Sequence, residues 1–321
     1  MTSRAAALWL TERMVTLDAA RSRLPSVIKP RALAVAALAA GLLLASCGKS
    51  GKDEPRPVTP PPAPAMPPEA DSVTVGLWRF DEKGGNSLSD ASPFRLTGTT
   101  GPDVRVEFGR YRNGRSFTAT AQSFAIVPYN PVMESPRGFS IETWLYLRDV
   151  SRYELSVIAA RWTPVPNEQS WVFGVVGRKI GSVTTPSPGW FDREVLALSS
   201  GRLMFSFTPE LAAGTQSFMS TTSMPLNRWV HVAATLDGEI VKFYVDGRLD
   251  SQAALVNGIR PSTAPLVMGN VLDVRRLTDF GSDLRQDPSL ALLPFYALNG
   301  TLDELRISNV ARVRFESADL R

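Results

Sequence analysis

Two Asp-Gly pairs divide the stretch from residue 228 to residue 254 into three short runs of β-branched, aromatic and apolar residues. The pairs are Asp237-Gly238 and Asp246-Gly247. Each pair can supply the two positive-φ residues of a type I′ turn, because Gly lacks a Cβ and Asp tolerates the left-handed region. The stretch therefore predicts a three-stranded antiparallel meander. Its strands are expected at about 228–236, 239–245 and 248–254.

The first strand of this meander is apolar on both faces. Trp229 and His231 fall on one face together with Ala233 and Thr235, and the opposite face carries two Val, an Ala and a Leu. A strand that is apolar on both sides is typical of the centre of a packed sandwich. His231 is the single histidine of the chain, and this position predicts a buried, hydrogen-bonded structural residue.

The same residues carry a family resemblance. The pattern Trp-x-His-Val-Ala-x-Thr-x-Asp-Gly at 229–238, followed by Phe-Tyr-Val-Asp-Gly at 243–247, resembles the signature hairpin of LamG-like jelly-roll domains. These domains are relatives of the concanavalin A-like lectins and glucanases. The resemblance implies a fold and a cell-surface role, and it names no ligand.

Four further segments extend the resemblance over about residues 73–315. They resemble the opening strand and loop, the second segment, the long central strand and the closing strand of the family, and they lie at 78–85, 108–117, 139–147 and 300–308. We therefore predict an all-β fold, a two-sheet antiparallel jelly-roll sandwich of the concanavalin A-like type. The resemblance also implies that the first and last strands pair as neighbours in one sheet.

The amino-terminal region is typical of a secretory signal. A basic segment at 29–31 precedes an apolar run at 32–45, which is too short to span a membrane. The tetrapeptide Leu44–Cys47 resembles the bacterial lipobox, and this implies that Cys47 is lipidated and becomes the first residue of a lipoprotein. An ordinary secretory signal with a coincidental Cys is the alternative. Gly48 and Lys49 follow, instead of the Asp that marks inner-membrane retention in enteric bacteria, and this favours the outer membrane of the cell envelope.

We expect three regions: a lipoprotein signal segment at 1–46, a Pro-rich linker at 47–71 and the LamG-like domain at 72–321. Eight prolines between residues 48 and 70 favour extended polyproline II and a stalk. The chain has a net charge of +4, but removal of six of its 35 basic and two of its 31 acidic residues with the signal segment leaves 29 of each. A neutral mature chain gives no indication of nucleic-acid binding.

The sequence gives little support for catalysis. The Glu-x-Asp-x-x-Glu arrangement of laminarinase-type relatives is absent, Glu142 stands alone on its strand, and Asp303 and Glu304 are adjacent and expected on opposite faces. A single His without a Gly-x-Ser-x-Gly elbow disfavours a Ser-His-Asp hydrolase. We therefore expect a protein that is not an enzyme, with a polysaccharide-acting hydrolase as the rival.

A structural calcium ion is a further expectation. Acidic and amide side chains cluster in the Gly-containing loop at 81–90, and oxygen ligands on a loop suit Ca²⁺ better than Zn²⁺. The LamG resemblance implies calcium between this loop and the last strand, with Asp81 and Asp303 as the side-chain ligands. The alternative is that these acids only form a turn.

Exposed loop aromatics are the candidates for ligand contacts. Sugar rings stack on such side chains, and Trp162, Trp190, Phe191 and Tyr153 fall in predicted loops; packing against the core is the alternative.

The expected function is non-catalytic binding of a glycan or a surface protein by a lipid-anchored envelope protein. A structural subunit of an envelope complex is the second rival, and it predicts an apolar patch on the insertion at 272–297.

Overall fold

The computed structural model describes residues 66–134, 138–165, 167–178, 198–211, 214–254, 258–280, 283–286 and 296–315. These residues fall in one compact unit. They form eighteen β-strands and two short 3₁₀ turns, at Pro131–Met133 and Val274–Arg276. No helix among them is long and apolar enough to cross a membrane. The predicted sites Cys47, Trp190 and Phe191 lie outside the described residues.

One antiparallel sheet, sheet A, contains the signature meander and the closing strand. Its strands, from edge to edge, are β14 (Arg248–Ala254), β13 (Ile240–Val245), β12 (Trp229–Leu236), β7 (Phe139–Leu147), β18 (Asn299–Ser308), β5 (Asn113–Thr118) and β4 (Arg105–Phe108). Strand β1 (Thr74–Trp78) also pairs with β18, which confirms the predicted pairing of the first and last strands.

The second antiparallel sheet, sheet B, has eight strands. In order they are β11 (Gln216–Ser223), β10 (Arg202–Phe207), β9 (Gln169–Val176), β8 (Leu155–Trp162), β15 (Leu266–Met268), β6 (Ala125–Val127), β3 (Gly98–Thr100) and β2 (Ser87–Leu88). The remaining strands, β16 (Leu277–Phe280) and β17 (Asp283–Gln286), form a separate hairpin. The all-β, two-sheet antiparallel sandwich predicted from the sequence is confirmed.

The main core lies between the two sheets and follows the two-residue period of their strands. Leu145 and Leu147 of β7, Val230 and Val232 of β12 and Phe173 of β9 are all buried in it. Because successive side chains of a strand point to opposite faces, the residues between these core positions lie on the outer faces of the sheets. The outer face of sheet A is therefore fixed by the same alternation that builds the core.

The meander forms with the predicted strands, but its two turns differ. Asp246 and Gly247 have φ values of 49° and 74°, as a type I′ turn requires. In the first turn only Gly238 has positive φ, and Leu236 pairs with Val241 across a four-residue loop. There the Asp237 carboxylate accepts hydrogen bonds from two following backbone amides, so the first Asp-Gly pair is not the tight turn that we predicted.

The insertion at 272–297 covers the outer face of sheet B where the structure describes it. Leu272, Leu277 and Leu284 pack against Val267 of that sheet and against Phe124, which directly precedes strand β6. In the described part of this insertion, these apolar side chains face the protein and do not form the exposed patch that the structural-subunit hypothesis predicts.

Candidate functional site

The outer face of sheet A is built from cross-strand rows, because β12 and β18 both pair with β7. The register places Trp229, Tyr146 and Thr301 in the first row, His231, Trp144 and Asp303 in the second, and Ala233, Glu142 and Arg306 in the third. Only the first row lines an open groove, while the other two are covered by other parts of the chain.

The first row forms the floor of a groove of about 630 Å³. The rings of Tyr146 and Trp229 lie side by side, with centroids 5.6 Å apart and an interplanar angle of 60°. One wall comes from the hairpin of β4 and β5, where Phe108 is 92% exposed. A concave surface with aromatic rings and few polar groups is the usual form of a small-ligand site.

A polar bridge crosses this groove. The guanidinium of Arg148 donates a 2.8 Å hydrogen bond from Nη2 to Oγ1 of Thr301, and the same nitrogen contacts the carboxylate of Glu107. The positive charge of Arg148 and the negative charge of Glu107 neutralise each other, and the contacts of Arg148 join the wall of the groove to its floor. It also places charged hydrogen-bonding groups beside the aromatic rings, where they can fix the orientation of a ligand.

The turn Gly109–Arg112, which connects β4 to β5, covers Trp144 and Asp303 of the second row, while the His231 ring packs against the buried Phe315 with centroids 5.5 Å apart. The guanidinium carbon of Arg110 lies 4.7 Å from the ring centroid of Trp144, and the Tyr111 ring meets Trp144 edge-on at 6.4 Å. The Asp303 carboxylate holds this turn through its Oδ2, which accepts hydrogen bonds from the backbone amides of Arg110 (2.6 Å) and Tyr111 (3.0 Å).

The third row contains a buried ion-pair network. Glu142 Oε2 lies 2.9 Å from His231 Nε2, and Glu142 Oε1 accepts a 2.7 Å hydrogen bond from Nε of Arg306. Burial alone would raise the pKa of Glu142, but the hydrogen bond from His231 and the charge of Arg306 lower it below its usual value. The predicted structural role of His231 is supported by these contacts, and Glu142 is held as a carboxylate.

Residues Met66–Asp71, at the end of the predicted linker, lie against this face. The carbonyl of Glu69 accepts a 3.0 Å hydrogen bond from Arg306 Nη1, and the Glu69 side chain pairs with Arg79. The Met66 carbonyl accepts a hydrogen bond from the Tyr111 hydroxyl at 3.1 Å. The segment, which we call the strap, therefore contacts both the buried network and the turn over Trp144.

An irregularity in β18 alters the expected placement of its two acids. Glu304 has a φ of 52°, and the register with β7 shifts between Asp303 and Arg306. Such a bulge breaks the simple alternation of side chains. Both carboxyls are close enough to Asp81 for its charge to raise their pKa values. The expectation that Asp303 and Glu304 point away from each other was therefore too simple.

Both of these acids are held partly in the protonated form at neutral pH. Burial raises the pKa of Asp303 to about 6, although the backbone amides of Tyr111 and Arg110 oppose this shift. Burial also raises the pKa of Glu304 to about 8; Arg79, which lies 3.2 Å away, opposes the shift, and the charges of Asp303 and Asp81 add to it.

The predicted calcium ligands fit that role in part. Oδ1 of Asp303 is buried without a hydrogen-bond partner, and a cation next to it would relieve the raised pKa of this carboxyl. Asp81 already contacts Arg112 at 3.5 Å and the backbone amide of Asn113 at 3.4 Å. Within the described ranges no three His, Cys, Asp or Glu side chains form a metal-binding group, so any ion there would also need backbone carbonyl oxygens.

Of the four predicted loop aromatics, the structure describes Trp162 and Tyr153, and Trp162 cannot serve as a ligand platform. Trp162 is completely buried in a cluster with Val172 and Tyr296, so its ring offers no exposed surface for a sugar. Tyr153 is half-buried beside a separate cavity of about 230 Å³ and has Arg152 stacked over its ring at 5.0 Å. The expectation for Trp162 is corrected because this residue is the last of strand β8, and its side chain packs into the cluster with Val172 and Tyr296 instead of projecting from a loop.

The aromatic pair of the groove was not predicted from the sequence, although strand alternation contains a signal for it. Tyr146 alternates with Leu145 and Leu147, and Trp229 alternates with Val230. Since these aliphatic residues are core positions, the two aromatic rings must lie on the opposite face. That the rings meet depends on the register of β7 with β12, which local sequence does not give.

Comparison with known proteins identifies the family to which the fold belongs. Residues 118–280 match the family Laminin_G_3, described as the concanavalin A-like lectin/glucanases superfamily. The chain belongs to this family. No curated protein matches the chain.

Among solved structures, this family member is similar to the binding domain of Paraclostridial Mosquitocidal Protein 1, with 13% sequence identity and a TM-score of 0.50. The match covers 76% of this chain and 50% of that one. A botulinum neurotoxin type C structure, described by its interaction with two ganglioside molecules, has 15% identity and a TM-score of 0.49 over 75% of this chain and 48% of that one. At these identities the likeness concerns the fold alone, and the chain spans about half the length of both proteins.

Proposed function

We propose that this LamG-like domain is a non-catalytic binding module, and that it holds a carbohydrate in the groove of sheet A. The observation that carries the proposal is the half-buried pair of Tyr146 and Trp229 on the floor of the groove, beside the polar groups of Arg148 and Glu107. Aromatic faces stack on the apolar faces of sugars, and neighbouring hydrogen-bonding groups select their hydroxyls. The lectin-like fold supports this proposal.

Binding to immobilised neutral and acidic glycans tests the proposal directly. We expect Trp229→Ala to reduce glycan binding by at least tenfold, because one ring of the floor is lost. Phe94→Ala is the matched control, since Phe94 is 49% exposed and does not line the groove. Equal binding by wild type and Trp229→Ala would contradict the proposed site. Binding to a surface protein instead of any glycan would support the alternative partner.

Hydrolysis of a polysaccharide is the rival function, and one observation favours it. Asp303 and Glu304 have the raised pKa values that a general acid needs. Neither residue lines the groove, and both are buried. We therefore propose that they have structural roles. Release of reducing sugar from a bound polysaccharide, lost in Glu304→Gln, would establish the enzyme instead.

The proposed setting is the cell envelope. We propose that Cys47 carries the lipid, that the Pro-rich segment forms a stalk, and that the outer membrane is the destination. Several acyl chains at ~0.8 kcal/mol per buried CH₂ make such an anchor effectively permanent. Incorporation of a labelled fatty acid by the wild type, and its loss in Cys47→Ser, is the expected result. Equal labelling of the two proteins would contradict the lipid anchor.

A further inference from the structure

The second row of the outer face contains polar atoms without partners. Nε1 of Trp144 and Nδ1 of His231 are buried and make no hydrogen bond in the described structure. Their rings are neighbours, 5.5 Å apart between centroids. Buried polar atoms are normally hydrogen-bonded, so each exception requires an explanation such as an absent water or ligand group.

The two atoms have complementary hydrogen-bonding character. The indole nitrogen of Trp144 can only donate. His231 presents Nε2 to the Glu142 carboxylate, which accepts, so in the neutral ring Nδ1 is left as an acceptor. A hydroxyl group can accept from the first atom and donate to the second. Hydroxyls are also the groups that a saccharide supplies in greatest number.

The cover over this row is held by a few polar contacts. Arg110 is exposed and lies on the Trp144 ring without an ion-pair partner in the described residues. Burial raises the pKa of the Tyr111 hydroxyl and its contact with Trp144 opposes this shift, and the same hydroxyl donates a hydrogen bond to the Met66 carbonyl of the strap. No residue of the turn belongs to a described hydrophobic cluster.

The covered row continues the open groove. Trp144 and Tyr146 lie two residues apart on the same face of β7, which corresponds to about 6.5 Å along a strand. Movement of the turn would therefore extend the aromatic floor from Tyr146 and Trp229 to Trp144, and a sugar chain lying along the strands could occupy both rows.

We infer that Trp144, with its neighbour His231, forms a second subsite for one hydroxyl-bearing sugar unit, and that the turn Gly109–Arg112 is the lid over the Trp144 ring. The inference rests on the proposed carbohydrate-binding function of the groove. Short ligands occupy the open first row alone. Longer ligands displace Arg110 from the Trp144 ring and bind to both rows.

NMR signals of the tryptophan indole N–H groups in the full chain test this inference. Each signal is assigned by a single Trp→Phe substitution. The probes are neutral oligosaccharides of one to six glucose, galactose, xylose or arabinose units. We expect monosaccharides that bind to shift the Trp229 indole signal alone and oligosaccharides of three or more units to shift the Trp144 signal too. If every length that shifts Trp229 leaves Trp144 unchanged, the subsite is wrong and the proposed function stands. If neither signal moves with any probe, both are wrong.

An affinity series provides a second measurement that does not alter the buried row. Arg110→Ala removes only an exposed part of the lid, so we expect it to raise the affinity for oligosaccharides of three or more units by at least threefold and to leave monosaccharides unchanged. The matched control is Arg248→Ala, an exposed arginine of the edge strand β14. Equal affinities of wild type and Arg110→Ala at every length would overturn the role of the lid.

Discussion

His231 Nε2 lies 2.9 Å from Oε2 of Glu142, and both side chains are 1% exposed. Glu142 also forms a buried ion pair with Arg306 at 2.6 Å, and removal of one partner from such a pair leaves the other without compensation, which costs about 3–5 kcal/mol. We therefore expect Glu142→Gln to lower the free energy of unfolding by this amount, because Arg306 loses its carboxylate. Urea unfolding at pH 7 measures the change. Glu239→Gln, on the exposed turn of the meander, is the control; a loss below about 1 kcal/mol in Glu142→Gln would contradict the importance of the network.

The acid stability of the protein should depend on the same carboxyl. The pKa of Glu142 is lower in the folded protein than its ordinary value of 4.5, so its contribution is present above that pH and is lost as the pH falls through the folded pKa. Wild type should lose stability below about pH 4.5 more steeply than Glu142→Gln. Parallel slopes for the two proteins between pH 5 and pH 3 would contradict this assignment.

Glu304 should have the opposite effect on pH dependence. Its pKa rises from 4.5 to about 8 on folding. The folded state therefore favours the protonated form, and the stability present below pH 4.5 is lost as the pH rises toward 8. In chelator, we expect the thermal midpoint of wild type to fall between pH 5 and pH 8, and that of Glu304→Gln to fall less. A steeper fall in the variant would show that the ion pair with Arg79 dominates.

Residues 139–147 and 229–236 are rich in β-branched, aromatic and apolar residues, and both form strands close to the predicted bounds. The outer face was not predictable in the same way. The lid depends on contacts of Asp303 with Arg110 and Tyr111, which are far away in the sequence. The irregularity in β18 places Glu304 at positive φ, a conformation that a glutamate in a strand pattern does not indicate.

The strap is a second feature that could not be predicted from the sequence, because its contacts are with residues far away in the chain. The prolines indicated a linker as far as residue 71, but composition cannot show that the last residues of a linker dock on the domain. Glu69 and Asp71 are hydrophilic residues whose partners, Arg306 and Arg312, lie in the last part of the chain. Only the fold brings these ends together, since β1 and β18 are paired.

Loss of the strap should therefore destabilise the domain. A chain that begins at residue 72 lacks the Glu69 carbonyl, which accepts from the buried Arg306, and the Asp71 carboxylate, which lies 2.6 Å from Nη2 of Arg312. An unpaired buried donor costs about 1–3 kcal/mol. We expect the 72–321 chain to unfold at lower denaturant concentration than the 66–321 chain. Equal midpoints would show that the strap contributes no net stability.

Calcium binding can be tested at a single carboxylate oxygen of Asp303. The unpartnered Oδ1 of Asp303 is the atom that a cation would use, and binding to the folded state alone stabilises it by RT ln(1 + [L]/Kd), or about 2.7 kcal/mol at one hundred times the Kd. We expect millimolar calcium to raise the thermal midpoint of the wild type at pH 7, and the increase to disappear in Asp303→Asn. Asn retains an oxygen that can accept from Arg110 and Tyr111, so this variant should keep the turn in place.

Magnesium is the control ion, because it requires a tighter octahedral site. An unchanged midpoint of the wild type in calcium would remove the ion from the proposed function, and the unpaired oxygen would then be explained by the raised pKa of Asp303, which favours its protonated form below about pH 6.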